Sequence, residues 1–353
     1  MHRYGGRVTP ITVNGSQGPR DSWQPDVLPG YWQRTLPLGP DPAGEGTIVA
    51  TLIRKGSPGP GTCEPLRAVL AVHGYTDYFF NTELADYFAD RGFVFYALDL
   101  SKCGRSWREG QTPHFTTDLA RYDVELDRAV ASIRDELPGA QIIVSAHSAG
   151  GLIAPLWLDR LRRRGSTSAS GIAGLVLNSP FFDLRGPAIL RTPVTSAAIG
   201  AASRLGTRRV LRATGDIGYG SSLHRDHGGE FDYNLVWKPL GGFPVTVGWL
   251  RAIRRGQAKL HRGLDVGVPN LILRSDKTIP ETKDPAKMQR GDAVLDVTQI
   301  ARWAGCVGNR STIVPVADAK HDVFLSLAQP RQAAYRALSG WLGTVFTDVG
   351  QMS

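Results

Sequence analysis

The chain has 353 residues, 42% of them hydrophobic, 8% aromatic and 21% charged. That balance excludes a disordered or fibrous protein, and the length suits either two domains or one large α/β domain with an insertion. No run of about eighteen apolar residues occurs, so no membrane-spanning helix is expected, and the first residues lack the apolar stretch of a signal peptide. Three widely spaced cysteines (Cys63, Cys103, Cys306) form no C-x-x-C, which suggests neither a disulfide framework nor a zinc ribbon and fits a reducing cytoplasmic setting. The net charge of +9 is concentrated: residues 181–265 hold 13 Lys and Arg against 6 Asp and Glu. Without a recognition motif, that charge gives no reason to expect nucleic acid.

Residues 1–46, rich in Gly, Pro and Asp, read as an irregular lead-in. Short apolar, β-branched runs follow at 47–53, 68–72, 93–100, 142–145, 174–177, 270–273 and 312–316, the pattern of buried parallel strands. Helical spacing fills the gaps at 82–91, 118–137 and 150–164. The second of these ends at Pro138-Gly139 and the third in a basic last turn that complements the helix dipole. Strand alternating with helix predicts an α/β fold, a mostly parallel central sheet with helices on both faces. The alternation fails across 181–267, which reads as an insertion; the core is then 47–180 and 268–353.

The strongest chemical signal is Ala146-His147-Ser148-Ala149-Gly150-Gly151, where a buried strand runs directly into a helix. A serine at such a turn is strained and exposed, and it needs small neighbours to clear the adjoining strand and helix. The helix start offers the Ala149 N–H to a developing oxyanion. His73-Gly74-Tyr75, after another predicted strand, turns sharply enough to aim the Tyr75 N–H at the same point. Ser148 then needs a base, and His321, on a loop after the last predicted strand, is the best placed of eight histidines. Two carboxylates compete to orient that imidazole. Asp276 ends a strand, and Asp292 precedes a helical stretch with a shorter connection to His321. His224-x-x-His227-x-x-Glu230 has ligand types but lies in a glycine-flanked loop, so no metal is expected there, and no organic cofactor is required.

With these residues in place, the chain resembles the α/β-hydrolase superfamily, in particular its monoacylglycerol lipase or lysophospholipase-like branch, sometimes grouped with serine aminopeptidases. The resemblance rests on His73-Gly74-Tyr75, Asp99 through Gly104-Arg105-Ser106, the Ser148 turn, Asp292-Ala-Val-Leu-Asp296 and Ala319-Lys320-His321, in the family's order. It implies an α/β-hydrolase fold with a cap inserted at 181–267. It also implies an acid loop of the form Asp-x-Val-x-Asp, which favours Asp292. About fifteen residues (277–291) separate that loop from its strand here, which keeps Asp276 open. The implied activity is hydrolysis of carboxylic esters (monoacylglycerol, lysophospholipid-like or small acyl esters) through an acyl-enzyme. Alternatives are a non-catalytic binding protein of the same fold and an acyltransferase. The basic cap suits an anionic head group or a peripheral membrane contact, and its charge argues against gripping the ammonium group of an aminopeptidase substrate.

Overall fold

The computed structural model describes residues 22–59, 66–166, 170–212, 215, 218–282 and 284–347; Cys63 and residues 1–21 lie outside them. The strands are β1 (Gln24–Pro25), β2 (Tyr31–Pro40), β3 (Thr47–Lys55), β4 (Arg67–Val72), β5 (Phe93–Asp99), β6 (Gln141–His147), β7 (Ile172–Asn178), a short pair β8 (Val210–Arg212) and β9 (Val245–Thr246), β10 (Asn270–Ser275) and β11 (Ser311–Val316). Nine of them form one sheet in the order β1-β2-β3-β5-β4-β6-β7-β10-β11. From β5 to β11 every neighbouring pair is parallel, while β1, β2 and β3 run antiparallel along one side.

Period-two alternation explains why these runs are so apolar. Ala68, Leu70 and Val72 of β4 enter the core on one face, and Val69 enters the core on the other. In β6, Ile142, Val144 and Ala146 face one way and Ile143 the other. Strands covered on both sides cannot afford a polar face. The cover on one face comes from α2 (Asp123–Glu136), α3 (Gly150–Arg163) and α7 (Val297–Trp303), through Leu126, Ile133, Leu152, Trp157 and Ile300. On the other it comes from α1 (Thr82–Ala89) and α8 (Ala328–Thr347), through Leu84, Phe88, Leu338 and Trp341.

One expectation is corrected. The stretch to residue 46 is not irregular throughout, because β2 pairs with β3 along its whole length, from Tyr31 opposite Lys55 to Pro40 opposite Thr47. Pro37 and Pro40 disguise it. Proline is tolerated near a sheet margin, and here the register shifts between Pro37 and Gly39. Asp41, just beyond, pairs with buried Lys102 at 2.7 Å.

Between β7 and β10 the described residues add no strand to the main sheet. They form α4 (Pro193–Arg204), the β8–β9 pair, α5 (Tyr219–Leu223) and α6 (Val247–Leu260). The last of these joins the core: Trp249, Ala252, Ile253 and Leu260 pack in the same cluster as Leu152 and Leu156 of α3. A Cβ on Gly256 would lie 2.8 Å from Leu119 Cδ1 and 3.0 Å from Leu156 Cδ1, so glycine permits the close approach.

The sheet also fixes where chemistry can occur. The chain leaves β4 toward β5 on one side, whereas β6 lies on the other. Open α/β sheets bind ligands in the crevice outside the carboxyl ends at such a switch point. His73-Gly74-Tyr75 leaves β4 there, and Ser148 leaves β6.

Candidate active site

Ser148 has φ +51°, a left-handed conformation that a non-glycine residue rarely holds. Its neighbours make the turn possible by their smallness. A Cβ on Gly74 would come within 2.9 Å of Ser148 Cβ, one on Gly150 within 2.4 Å of the His73 carbonyl oxygen, and one on Gly151 within 2.8 Å of Pro180 Cβ. Gly150 meets main chain, which cannot rotate away. Gly150→Ala is therefore expected to cost about 2 kcal/mol or more of stability, measured by urea unfolding; an unchanged midpoint would show that the turn has slack.

His321 stands on the loop after β11, 3% exposed. Its Nε2 lies 2.9 Å from Ser148 Oγ and its Nδ1 lies 2.9 Å from Asp292 Oδ2. An ionised carboxylate only accepts, so Nδ1 carries the proton and donates it to Asp292. Nε2 is then bare, and the serine hydroxyl donates to it. Asp292 is fully buried, and its other oxygen accepts the N–H groups of Val294 and Leu295, each at 2.7 Å.

The structure also places the two competing carboxylates. The excursion after β10 returns to its own start: Asp292 N donates to Lys277 O, Ile279 N donates to Asp292 O, and residues 278 and 292 form a parallel bridge. That brings Asp292 back to the strand end. Asp276 is exposed, and its carboxylate accepts the Asp318 N–H at 3.0 Å and not the imidazole.

Tyr75 and Ala149 flank the serine from the ends of β4 and β6. Among the described residues, no protein acceptor takes up either N–H. The Tyr75 ring is held away from this point, its hydroxyl donating to Pro244 O at 2.6 Å.

A model of the family described as "Serine aminopeptidase, S33" matches residues 63–278 of this chain. The chain belongs to this family. Comparison with curated proteins finds no match. Among solved structures, a soluble variant of monoglyceride lipase from Saccharomyces cerevisiae, in complex with a substrate analog, is 15% identical, covering 84% of this chain and 92% of its own at a TM-score of 0.59. Monoacylglycerol lipase from Paleococcus ferrophilus is 17% identical over 83% of this chain and 99% of its own, with a TM-score of 0.54. A thermostable carboxyl esterase from Bacillus coagulans, bound to glycerol, is 13% identical over 89% and 98%, with a TM-score of 0.56. These likenesses agree with the α/β-hydrolase fold built above.

Around the Ser–His–Asp line, this α/β-hydrolase has supports that no motif announced. Asn178, buried at the end of β7, touches both sides of it. Its main-chain oxygen accepts Ser148 N–H at 3.0 Å and His147 Nδ1–H at 3.1 Å. Its side-chain amide donates to Asp322 Oδ1 at 2.6 Å and accepts Val323 N–H at 3.1 Å, so it also holds the His321 loop. Asn178→Ala keeps the first pair of bonds and removes the second. The resulting misplacement of His321 is expected to lower kcat about 10- to 100-fold with little change in KM. Steady-state kinetics on an ester substrate checks this, and a wild-type kcat would deny Asn178 a positioning role.

The site lines a cavity of 350 Å³ together with Phe181, Trp249, Leu223 and Leu250. Apolar walls with a few convergent polar groups are the usual make-up of a small-molecule site. Lys238, from the stretch between β7 and β10, pairs with Asp77 at 2.7 Å. Burial alone would raise the Asp77 pKa, but Lys238, His147 and His73 outweigh it and hold the carboxyl at about 2. His147, its ring 4.8 Å from that of His321, has its pKa lowered by burial despite Asp322 nearby. Buried Lys320 is pushed down to about 7 by desolvation, and its Nζ donates to Ser222 O at 3.1 Å.

Among the described residues, His73, Cys103 and His114 alone bring three metal-type donor atoms together, within 4.8 Å of one another. Both nitrogens of His73 are already engaged: Nδ1 donates to Gly74 O at 2.7 Å and Nε2 accepts Leu100 N–H at 3.0 Å. Burial raises the Cys103 thiol well above its ordinary range. Those bonds fit a structural cluster beneath the His73-Gly74-Tyr75 turn better than a ligand set. Glu230, from the other histidine-rich stretch, pairs with Arg331 at 3.1 Å.

Proposed function

We propose that the protein hydrolyses carboxylic esters through an acyl-enzyme, with Ser148 as nucleophile, His321 as general base and Asp292 as the orienting acid. The observation that carries this is the unbroken line from Ser148 Oγ through His321 to Asp292, each step 2.9 Å, at the wall of an apolar cavity. Ser148 Oγ attacks the carbonyl carbon while its proton passes to Nε2. Asp292 fixes the tautomer and stabilises the imidazolium. The N–H groups of Tyr75 and Ala149 receive the negative oxygen. The imidazolium then protonates the departing alkoxide, and a water activated by the regenerated base releases the acid.

We infer further that residues 181–267 act as a cap over the acyl or alcohol pocket, because Lys238, Pro244 and Trp249 from that segment touch or line the site. Aminopeptidase action finds less support. Among the described residues the one carboxylate lining the cavity is Asp77, and Lys238 already occupies it.

A panel of p-nitrophenyl esters from acetate to palmitate, run beside monoacylglycerol and lysophospholipid, tests the reading. Turnover of at least one class above the level of a Ser148→Ala protein is expected; no ester turnover across the panel would remove it.

A further inference from the structure

Of the ionisable side chains lining the cavity, Asp77 and Lys238 neutralise each other, and His321 is hydrogen-bonded to Asp292. Arg185 is different. Its guanidinium donates from Nη1 to Ala293 O and from Nη2 to Ile279 O at 2.8 Å, both main-chain carbonyls, and among the described residues no carboxylate pairs with it. Most buried cations elsewhere find acids: Arg54 meets Glu136, Lys102 meets Asp41 and Glu45, Arg105 meets Asp26 and Asp99, and Arg254 meets Asp183, whereas Lys320 meets the Ser222 carbonyl away from the cavity lining.

The carbonyl contacts orient the guanidinium without cancelling its charge, and they occupy only two of its five N–H donors. The arm is also anchored. Asp183, two residues back, is buried and bonded to Arg254 Nη1 at 2.9 Å and to Trp303 Nε1 at 3.2 Å. The guanidinium is therefore a preorganised, half-buried positive group on the Asp292 side of the same cavity that holds Ser148. A partly enclosed cation with free donors matches the planar oxygens of a carboxylate or phosphate. The excess of positive charge in the surrounding segment adds a field that draws anions in.

We propose that Arg185 is a recognition site for an anionic group, carboxylate or phosphate, carried by the ester substrate. This deepens the ester-hydrolase reading and rests on it.

Two matched pairs of substrates test the proposal on the full chain. On the acyl side, mono-p-nitrophenyl glutarate is compared with p-nitrophenyl 5-methylhexanoate, whose isopropyl end matches a carboxylate in shape. On the alcohol side, 1-butyrylglycerol 3-phosphate is compared with 1-butyrylglycerol. In at least one pair the anionic ester is expected to have a kcat/KM about 10-fold higher, mainly through KM, and the favoured pair tells which side of the scissile bond carries the charge. Arg185→Met is expected to bring that ratio close to one, and Arg185→Lys to keep part of it. The ratio is the readout, because loosening the Asp292 loop would slow both members of a pair alike. A ratio of one or less in both pairs, or a ratio that survives Arg185→Met, overturns the proposal. If the neutral esters are not hydrolysed either, the ester-hydrolase reading itself fails.

Discussion

Ser148→Ala is expected to lower ester turnover by at least about 10³-fold while leaving the unfolding midpoint close to wild type. The hydroxyl makes one bond, to His321 Nε2, and nothing in the strained turn depends on it. The glycines opposite and after the serine, not its oxygen, create the room for φ +51°. His321→Ala should cost a similar factor, since a serine without a base is a poor nucleophile. The double substitution should then be scarcely slower than either single one, because the two groups act as a unit. Single-turnover kinetics and urea unfolding on the three proteins measure this. Additive losses, or turnover retained in Ser148→Ala, would mean that hydrolysis proceeds through another group.

Asp292→Asn is expected to lower kcat by about 10⁴-fold, the second large effect, and its origin is a proton in the wrong place. Oδ1 of residue 292 accepts two N–H groups, so an asparagine would keep its oxygen there and turn its NH₂ toward His321 Nδ1. That nitrogen would have to become the acceptor, and the ring proton would move to Nε2, where it can no longer take the serine's. Asp276→Asn should change kcat by less than about threefold, because its carboxylate accepts only the Asp318 N–H and an amide oxygen can do the same. The reverse ranking of the two variants would show that the acid has been misassigned.

Much of this architecture was legible from local pattern. The runs that became β4 to β7 and β10 are apolar because both faces are covered, and that leaves a mark in sequence, whereas β11, at the sheet edge, keeps an apolar run although only Val316 is buried. β2 left none: its residues are mostly half-buried, and two prolines interrupt it. The serine turn was readable because its steric demands fall on adjacent residues. The placing of Asp292 beside His321 was less so, since what returns Asp292 to the strand end is main-chain pairing with residues 277–279 across the excursion, and a main-chain bond carries no residue signature. Asn178 was invisible for a related reason. Half of its role is played by a carbonyl that every residue possesses, and its side-chain partner, Asp322, lies 144 residues away. Contacts from the stretch between β7 and β10, such as Lys238 to Asp77 at a separation of 161 residues, are likewise products of the tertiary fold.

A fluorophosphonate probe tests the central claim most directly, with intact-mass and peptide mass spectrometry as the readout. A single adduct is expected, on Ser148, forming rapidly in the wild-type protein, slowly in His321→Ala, and not at all in Ser148→Ala. An unlabelled wild-type protein, or one labelled at another residue while Ser148 stays free, would contradict the account.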